Sequence, residues 1–343
     1  MQSQELGKSG LKVAPWAFGG NVFGWTADKA ASFQLLDAFV DHGFNLVDTA
    51  DVYSRWAPGH TGGESEMVMG DWLAQGGAKE RASRREKVII ATKLGGPMAE
   101  GQGLSRDYMM GAVDRSLKRL KTDVIDLYQA HMDDASTPLE ETLAAFGELI
   151  KAGKVRAIGA SNYSAPRLAE ALELARDQGL PRFETLQPWY NLYDRDQFEG
   201  PLQDLARAEG LGVIPYFGLA SGFLTGKYRT DKDLEGSPRA YRAKDMMDKR
   251  GMRILAALDE VGARVGGTPA QVSLAWLRAK GCIPIASATK LSQLEELAKS
   301  VDLTLDAAAV AALDAASVIN PGEEPVRAPP PRPQADSKAA EKA

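Results

Sequence analysis

Short apolar runs alternate along the chain with longer stretches in which apolar residues recur every three or four positions. A short apolar run bounded by turn residues predicts a buried strand, and the longer period predicts an amphipathic helix that covers it. Eight strands are predicted in this way, at residues 15–18, 44–47, 88–92, 124–128, 155–159, 185–187, 212–216 and 283–286. Each is followed by a predicted helix, so the chain repeats a strand–helix unit.

The starts of the helices are predicted from capping residues and from proline. Thr26 is a candidate cap for the first helix and Ser105 for the third, and Pro138 suits the first turn of the fourth. The predicted helices lie at about residues 28–41, 64–74, 105–120, 138–151, 165–178, 200–209, 249–265, 269–280, 292–300 and 306–316. Before the first strand, the Lys-Ser-Gly turn within residues 4–13 predicts a β-hairpin.

The repeated unit predicts the fold. Eight strands that alternate with helices can close into a (β/α)8 TIM barrel without leaving a sheet edge, which fits the pattern better than an open doubly wound sheet. We therefore predict an α/β protein with one domain over residues 1–319, a barrel with an N-terminal β-hairpin and additional C-terminal helices. Residues 320–343 are rich in Pro, Ala and charged residues, which predicts a disordered tail.

Composition restricts the classes of function. With a net charge of -5 and a pI near 5.5, the chain lacks the basic balance typical of nucleic-acid binding. No apolar run is long enough for a membrane span and the N-terminus has no signal-peptide core, so we expect a cytoplasmic protein. The single cysteine, Cys282, excludes an intrachain disulfide, and the three scattered histidines predict no metal site.

Four polar residues are predicted at the carboxyl ends of three successive strands. Asp48 and Tyr53 follow the second strand, Lys93 follows the third and His131 follows the fourth. Each alone more often has an ordinary role in a turn, in packing or in solvent. Because the carboxyl ends of barrel strands meet at one rim, we expect the four side chains to converge there.

These residues are suited to protonating a carbonyl oxygen. A tyrosine has an unperturbed pKa of about 10 and keeps its proton at neutral pH, and a nearby ammonium lowers that pKa by stabilising the phenolate. Lys93 is the candidate ammonium, Asp48 pairs with it, and His131 is a candidate to orient the carbonyl through a hydrogen bond. None of the four donates hydride, so a reductase built on them needs a cofactor.

In combination, several motifs resemble those of the aldo-keto reductase superfamily over nearly the whole folded region. The motifs are Gly-Phe-Asn-Leu-Val-Asp-Thr-Ala-Asp-Val-Tyr at 43–53, Gly-Glu-Ser-Glu at 63–66, Ala-Thr-Lys at 91–93, His131, Gly-Ala-Ser-Asn at 159–162 and Gln187. The resemblance implies that Asp48, Tyr53, Lys93 and His131 are a catalytic tetrad with Tyr53 as general acid. It also implies NADPH as the hydride donor, bound extended across the mouth of the barrel.

The same resemblance implies the cofactor contacts. Ser161, Asn162 and Gln187 would hold the nicotinamide carboxamide, and Tyr216 would stack on its ring. A loop at 219–227 would cover the pyrophosphate. In full, the candidate cofactor residues are Gly20, Asn21, Asp48, Ser161, Asn162, Gln187, Tyr216, Phe217, Leu219, Ser221, Gly222, Lys227, Ser287, Thr289, Lys290, Gln293 and Glu296.

Three departures from the family pattern concern the cofactor. Residues 217–219, Phe-Gly-Leu, stand where the family usually has Ser-Pro-Leu. Thr289 and Lys290 stand where the family has an Arg or Lys shortly before Gln293, and Leu297 replaces the usual Asn. The positive charge of Lys290 suits a 2′-phosphate, so NADPH is favoured over NADH.

The expected partner is a small carbonyl compound. Aromatic residues on the predicted strand-end loops are candidates to line an apolar pocket for a bulky substrate, such as a xenobiotic or mycotoxin-like ketone. The candidate pocket residues are Trp25, Tyr53, Trp56, His131 and Trp189. We expect no nucleic-acid or membrane partner, and a monomer or weak homo-oligomer.

Two other functions stay open at this point. A barrel hydrolase would use paired carboxylates such as Asp48 with Glu64 or Glu66, but it leaves Tyr53 and Lys93 unexplained. A regulatory subunit would bind NADPH as a redox sensor with slow or no turnover, as the resemblance to potassium-channel beta subunits implies. Residues 230–249 either order over bound cofactor or form a solvated insertion.

Overall fold

A computed structural model describes residues 3–236 and 240–323, and its strands form the barrel predicted from the sequence. In chain order the strands are β1 (Gln4–Glu5), β2 (Lys12–Val13), β3 (Ala17–Gly19), β4 (Leu46–Asp48), β5 (Ile89–Leu94), β6 (Ile125–Ala130), β7 (Val155–Ser161), β8 (Thr185–Gln187), β9 (Gly212–Val213) and β10 (Ile285–Ala286). The last eight pair in parallel in the order β10-β3-β4-β5-β6-β7-β8-β9. Backbone N–H groups of Ile283 and Ile285 donate to the carbonyls of Val213 (2.9 Å) and Pro215 (3.0 Å), which joins the two edges.

The interior of the barrel is a compact apolar core. Alternate strand residues point inward, and Leu46 and Leu127 are among the fully buried side chains of this core. The antiparallel hairpin β1–β2 adds Leu6 to the same cluster. Gly7 of the hairpin (φ +59°) lies so close to the Glu184 carbonyl, just before β8, that a Cβ would collide with it. The hairpin therefore closes the amino-terminal end of the barrel, and the other end stays available for a site.

Helices surround the sheet, and a second, larger apolar cluster fills the layer between them and the strands. They are α1 (Lys29–Asp41), α2 (Glu64–Leu73), α3 (Ala78–Glu86), α4 (Arg106–Leu120), α5 (Leu139–Lys151), α6 (Ala165–Gln178), α7 (Pro201–Glu209), α8 (Ala240–Asp245), α9 (Lys249–Val265), α10 (Pro269–Ala279), α11 (Leu291–Ala298) and α12 (Ala307–Ser317). The (β/α)8 barrel with additional C-terminal helices is thereby confirmed.

The starts of several helices differ from the prediction. Helix α1 begins after Asp28, whose side chain accepts a hydrogen bond from the backbone N–H of Ala31 (2.8 Å), so the cap predicted at Thr26 is wrong. Ser105 occupies the N-cap of α4, but its side chain makes no capping bond. Pro138 is the N-cap of α5 and lies just outside the first turn.

The hydrophobic pattern does not predict α3 or α8. Helix α3 contains no buried residue, so it has no apolar stripe for the pattern to reveal. Helix α8 lies in the segment 230–249 that was assigned to a loop. By contrast, α10 begins at the predicted residue because Thr268 and Gln271 form a reciprocal capping box around Pro269.

Most barrel strands differ in length from the prediction by one to three residues, and two of these differences bear on the site. Strand β5 continues to Leu94, so Lys93 lies inside the strand and not beyond it. Strand β9 is shorter than the predicted 212–216, because Pro188 and Pro215 lack the N–H groups that a regular ladder needs. The N–H of Tyr216 still donates to the Pro188 carbonyl (3.0 Å), which keeps this segment beside β8.

Of the predicted tail at residues 320–343, residues 324–343 lie outside the described part of the chain. Glu323 is described, and its carboxylate forms an ion pair with Arg253 (2.8 Å). Within the predicted loop 230–249, residues 237–239 also lie outside the described part. Among the helices at residues 3–236 and 240–323, none is long and apolar enough to cross a lipid bilayer.

Candidate active site

Lys93 lies at the centre of the predicted set. Its ammonium is fully buried, and Nζ donates to Asp48 Oδ2 (2.7 Å), to the Thr49 carbonyl (2.8 Å) and to the hydroxyl oxygen of Tyr53 (3.0 Å). A lysine has three donors and no acceptor, so these contacts use all of its hydrogen-bonding capacity. Burial disfavours the charge on Lys93, but the Asp48 carboxylate and the Tyr53 oxygen outweigh it and raise the pKa of Lys93 above its ordinary value. A permanent positive charge therefore faces the Tyr53 oxygen.

Strand register brings these residues together. Asp48 ends β4, and Lys93 lies two residues beyond the register partner of Asp48 in β5, so both side chains point to the same side of the sheet. Tyr53 lies in the turns after β4. The next residue, Ser54, has a left-handed backbone (φ 74°), and its buried hydroxyl donates to the Phe23 carbonyl (2.7 Å). This contact anchors the turn that carries Tyr53.

The second carboxylate oxygen of Asp48 is held by two amides. Gln187 Nε2 donates to Asp48 Oδ1 at 2.9 Å and Gln129 Nε2 at 3.4 Å. Gln129 is not among the sequence candidates. It is the register partner of Lys93 on β6, and its place two residues before His131 is the signal that could have identified it. With both oxygens bonded, the Asp48 carboxylate is fixed against Lys93.

His131 directly follows β6 and reaches the same rim. Its N–H donates to the Leu94 carbonyl at the end of β5 (2.9 Å). Its ring lies edge-on to the ring of Tyr53, with 5.9 Å between the ring centroids. Asn162 Nδ2 donates to the His131 carbonyl (2.9 Å). The structure thus brings Asp48, Tyr53, Lys93 and His131 to one place.

A cavity of about 770 Å³ opens at this rim. Tyr53 and His131 line it, together with most of the candidate cofactor residues. These are Asn21, Asp48, Ser161, Asn162, Gln187, Tyr216, Phe217, Leu219, Ser221, Gly222, Lys227, Ser287, Thr289, Gln293 and Glu296. The cavity is also lined by residues that are not among the sequence candidates, including Met132, Tyr228 and Arg242.

At the His131 end, the cavity wall is a hydrogen-bonded polar network. The hydroxyl of Tyr216 donates to Asn162 Oδ1 (2.7 Å), and Asn162 Nδ2 donates to Ser161 Oγ (3.1 Å). Ser161 Oγ in turn donates to the backbone carbonyl of Gln187 (2.9 Å). Asn162 adopts a left-handed backbone (φ 58°), which directs the chain from β7 into this network.

The part of the cavity wall that follows Tyr216 in the chain contains left-handed backbone conformations and two cations. Phe217, Ala220 and Ser221 all have left-handed backbones, with φ values of 57°, 47° and 58°, a conformation that residues other than glycine adopt rarely and often at functional sites. Lys227 and Arg242 line the cavity here, and the Arg242 guanidinium lies 4.5 Å from the centroid of the Phe217 ring. The replacement of the family's usual serine by Phe217 thus coincides with a cation–π contact.

The part of the cavity wall at residues 287–296 is polar and includes one carboxylate, that of Glu296. Ser287 Oγ donates to Asn21 Oδ1 (2.7 Å), and the backbone N–H of Thr289 donates to Gln293 Oε1 (2.9 Å). Glu296 Oε1 accepts a hydrogen bond from the Thr268 hydroxyl (2.8 Å), which fixes the carboxylate beside the start of α10.

Five of the candidate cofactor and pocket residues do not line the cavity: Gly20, Trp25, Trp56, Trp189 and Lys290. Gly20 is buried, and its carbonyl accepts from the Ser65 hydroxyl (2.7 Å). Lys290 is exposed at the N-cap of α11.

The three tryptophans lie in two different places. Trp189 is buried, and its Nε1 donates to Asp194 Oδ2 (2.8 Å). Trp56 lies next to Tyr53, with 5.8 Å between ring centroids, and Trp25 packs edge-on against Trp56 at 5.7 Å. Trp25 and Trp56 therefore form an aromatic pair beside Tyr53, and Trp189 belongs to a buried hydrogen-bond network.

In the described ranges no group of three or more His, Cys, Asp or Glu residues is arranged to hold a metal ion.

Comparison with known proteins identifies the class that this fold and site define. The model of the Aldo/keto reductase family matches residues 15–318. The chain is 35% identical to "Uncharacterized oxidoreductase YrpG" of Bacillus subtilis, over 89% of this chain and 93% of that protein. It is 34% identical to a "Probable voltage-gated potassium channel subunit beta" of Arabidopsis thaliana (88% and 92%) and 32% identical to "Protein tas" of Escherichia coli (92% and 97%).

The chain therefore belongs to the aldo/keto reductase family. It is an oxidoreductase of that family, whose members use NAD(P)H in the reduction of carbonyl groups.

Proposed function

We propose that this protein reversibly reduces an aldehyde or ketone to the alcohol, with NADPH as reductant and Tyr53 as proton donor. One observation carries the proposal: Lys93 Nζ contacts both Asp48 Oδ2 (2.7 Å) and the Tyr53 hydroxyl oxygen (3.0 Å). The Tyr53 oxygen accepts in this contact, so the Tyr53 proton is not used in it. Tyr53 lines the adjoining cavity, where a carbonyl oxygen of the substrate would accept this proton.

In this mechanism each member of the tetrad has a separate role. Tyr53 transfers its proton to the substrate oxygen, and the buried Lys93 ammonium stabilises the phenolate that is left. Asp48 neutralises Lys93 and holds it in place, because both of its carboxylate oxygens are bonded. His131, edge-on to Tyr53, donates a hydrogen bond to the same substrate oxygen and orients the carbonyl.

The donor set of the cavity fits a nicotinamide dinucleotide. Amides and hydroxyls of Ser161, Asn162 and Gln187 would hold the carboxamide, and Tyr216 would support the ring. Lys227 and Arg242 would face the phosphates, and the polar wall from Ser287 to Glu296 would hold the adenosine. When bound, the reduced nicotinamide supplies a hydride to the carbonyl carbon.

We further propose a preference for NADPH over NADH. Lys290 lies outside the cavity wall but on the same segment as Thr289 and Gln293, which line it. A flexible, exposed lysine can reach a phosphate at the cavity edge, so Lys290 is our candidate for the 2′-phosphate. Two other cations, Lys227 and Arg242, line the cavity itself.

For the substrate we propose a bulky carbonyl compound with an aromatic or apolar surface, such as a xenobiotic or mycotoxin-like ketone. Trp56 and Trp25 extend an aromatic face from Tyr53, and Met132 (42% exposed) lines the cavity next to His131. Such a surface favours apolar contact around a single polar reacting group. We also propose, as expected from the sequence, a single domain at residues 1–319, a monomer or weak homo-oligomer, and a cytoplasmic location.

The proposal is tested by following NADPH oxidation with a panel of aromatic aldehydes, dicarbonyls and cyclic ketones, with NADH run in parallel. We expect turnover with at least some of the bulky carbonyls and a lower KM for NADPH than for NADH. Tight binding of NADPH without turnover of any carbonyl would instead support a redox-sensing regulatory subunit. The relative named as a probable potassium channel beta subunit makes that the alternative to test, and the complete tetrad favours turnover.

A further inference from the structure

A third carboxyl group is buried behind the Asp48–Lys93 pair. Asp51 is only 2% exposed, and its backbone N–H donates to the carbonyl of Lys93 (3.1 Å). Asp51 is also two residues before Tyr53 in the same run of turns. The backbone of Asp51 is therefore bonded to Lys93 and close in sequence to Tyr53, the two residues that control the proton in the proposed reaction, although Asp51 lines no part of the cavity.

The charged groups around Asp51 are already paired with each other. On α2, Glu66 is fully buried, and its Oε2 accepts from Nε of Arg119 on α4 (2.7 Å). Its Oε1 accepts from the Thr92 hydroxyl of β5 (2.6 Å). The other nearby cation, Lys93, is paired with Asp48. Both cations thus have a carboxylate partner, and Asp51 is the surplus acid.

Asp51 has no cationic partner of its own in the described part of the chain, and the backbone of Val52 gives its carboxyl group a hydrogen bond but no charge. It forms no ion pair there, and its Oδ1 makes no hydrogen bond. The remaining titratable groups that face it are the phenols of Tyr108 on α4 and Tyr128 on β6, and burial raises the pKa of both. Phenols that keep their protons bring no positive charge. An ionised Asp51 would therefore be a buried carboxylate without a counter-ion, a costly state that proteins avoid by protonation.

The titration behaviour agrees with this geometry. Burial raises the pKa of Asp51 from 3.8 to about 8, the Glu66 carboxylate adds to the increase, and Arg119 opposes it in part. At neutral pH the carboxyl group is therefore mostly neutral.

We propose that Asp51 is a positioning residue that stays protonated while Tyr53 donates its proton, so that no negative charge behind Lys93 weakens its hold on the Tyr53 phenolate. The proposal rests on the proposed roles of Tyr53 and Lys93. When Asp51 loses its proton at alkaline pH, its charge opposes that of Lys93 and disfavours the phenolate. At alkaline pH, the negative charge of Asp51 thus makes the ionisation of Tyr53 less favourable.

The test is a spectroscopic titration of Tyr53 that needs no turnover. The chain has 9 tyrosines, so the phenolate absorbance of Tyr53 is obtained as the difference between each protein and its Tyr53→Phe counterpart. We expect Asp51→Asn to lower the pH at which Tyr53 ionises by about one unit, the order of effect of one charge several ångströms away at an effective dielectric constant of about 20. Asp114→Asn, a matched change on the exposed face of α4, should leave that pH unchanged.

An unchanged midpoint in Asp51→Asn, or a shift equal to that of Asp114→Asn, overturns the proposal. Kinetics give a second readout: the alkaline decline of kcat/KM for carbonyl reduction should move to lower pH in the same variant. A purely structural role would lower the rate at every pH without moving that decline. Because the absorbance titration requires no substrate, a protein that reduces no carbonyl would refute the proposed function and still report on Asp51.

If Asp51→Asn does not fold, infrared spectra of the natural protein provide the answer, with Asp51→Ser as reference. In the difference between the natural protein and Asp51→Ser, which cancels the band of Asp194, we expect a protonated carboxylic acid band at pH 6 that is lost above about pH 9. Absence of that band at pH 6 would show that Asp51 is ionised and would refute the proposal.

Discussion

The Nζ atom of Lys93 lies 3.0 Å from the hydroxyl oxygen of Tyr53, and it donates a hydrogen bond to that oxygen from a fully buried position. The geometry fixes the direction of the contact, because an ammonium can only donate. In the proposed mechanism, the same contact lets a tyrosine act as proton donor although it is a weak acid at neutral pH, because a positive charge is already in place to stabilise the phenolate.

Lys93 should also stabilise the fold, and the unfolding of Lys93→Met measures that contribution independently of activity. Removing the lysine leaves the Asp48 carboxylate buried without its cation, which should lower the free energy of unfolding by about 3–5 kcal/mol. Equilibrium urea denaturation measures this value. The matched control is the double variant Asp48→Asn with Lys93→Met, which removes both charges and should regain a large part of the loss. A double variant as unstable as Lys93→Met would contradict the assignment of the loss to an unpaired charge.

Lys290 and Arg242 should affect the two nicotinamide cofactors differently. Lys290→Met should raise the Kd of NADPH by about tenfold and leave the Kd of NADH nearly unchanged, because only NADPH carries the 2′-phosphate. Arg242→Met should raise the Kd of both cofactors, because Arg242 lines the cavity over Phe217 and would face the phosphates that both cofactors carry. Quenching of protein fluorescence on titration with each cofactor gives the Kd values of both variants and of the natural protein. Equal weakening of NADPH and NADH by Lys290→Met would argue against the 2′-phosphate assignment.

The buried carboxyl group of Asp194 should make the stability of the protein depend on pH. It is fully buried, accepts from Trp189 Nε1 and Asn191 Nδ2, and burial raises its pKa from 3.8 to about 6. Between these two pH values the folded protein binds a proton that the unfolded chain has released, so the contribution of Asp194 makes stability fall as pH rises from about 4 to 6.

Asp194→Asn removes this contribution and keeps an oxygen that can accept from Trp189. Relative to the variant, the natural protein should therefore lose about 2–3 kcal/mol between pH 4 and pH 7, the amount expected from a shift of this size. Urea denaturation of both proteins at four pH values in that range measures the difference. A difference that is constant with pH would mean that Asp194 does not titrate there.

The regular parts of the fold follow from local signals. Helix α6 runs over Ala165–Gln178 as predicted, because Ser164 caps its start and Gly179, in the left-handed region, ends it. Helix α3 has no buried residue and therefore no stripe to detect. Strand β9 was overestimated because its apolar run includes Pro215, which cannot donate to a ladder.

For the site, the motifs indicate which residues converge but not which of them touch. The contact of Asp48 with Gln187 joins residues 139 positions apart, and its contact with Gln129 joins residues 81 apart. Such contacts depend on barrel closure and strand register, which no local pattern contains. Trp189 illustrates the opposite case: an aromatic residue at a strand end suggested a pocket wall, and the structure buries it against Asp194. Arg242 was expected only within the segment 230–249, which either orders over the cofactor or forms a solvated insertion, because the pattern does not predict α8.

The most direct test of the central claim is the kcat/KM of Tyr53→Phe with the best carbonyl substrate, measured beside the Kd of NADPH. Phenylalanine keeps the ring that packs against Trp56 and His131 and removes only the hydroxyl. We predict that kcat/KM falls by about 10²–10⁴-fold, the usual contribution of a general acid, and that the Kd of NADPH stays within about twofold. A variant that retains more than about a tenth of the natural kcat/KM would contradict the assignment of Tyr53 as the proton donor.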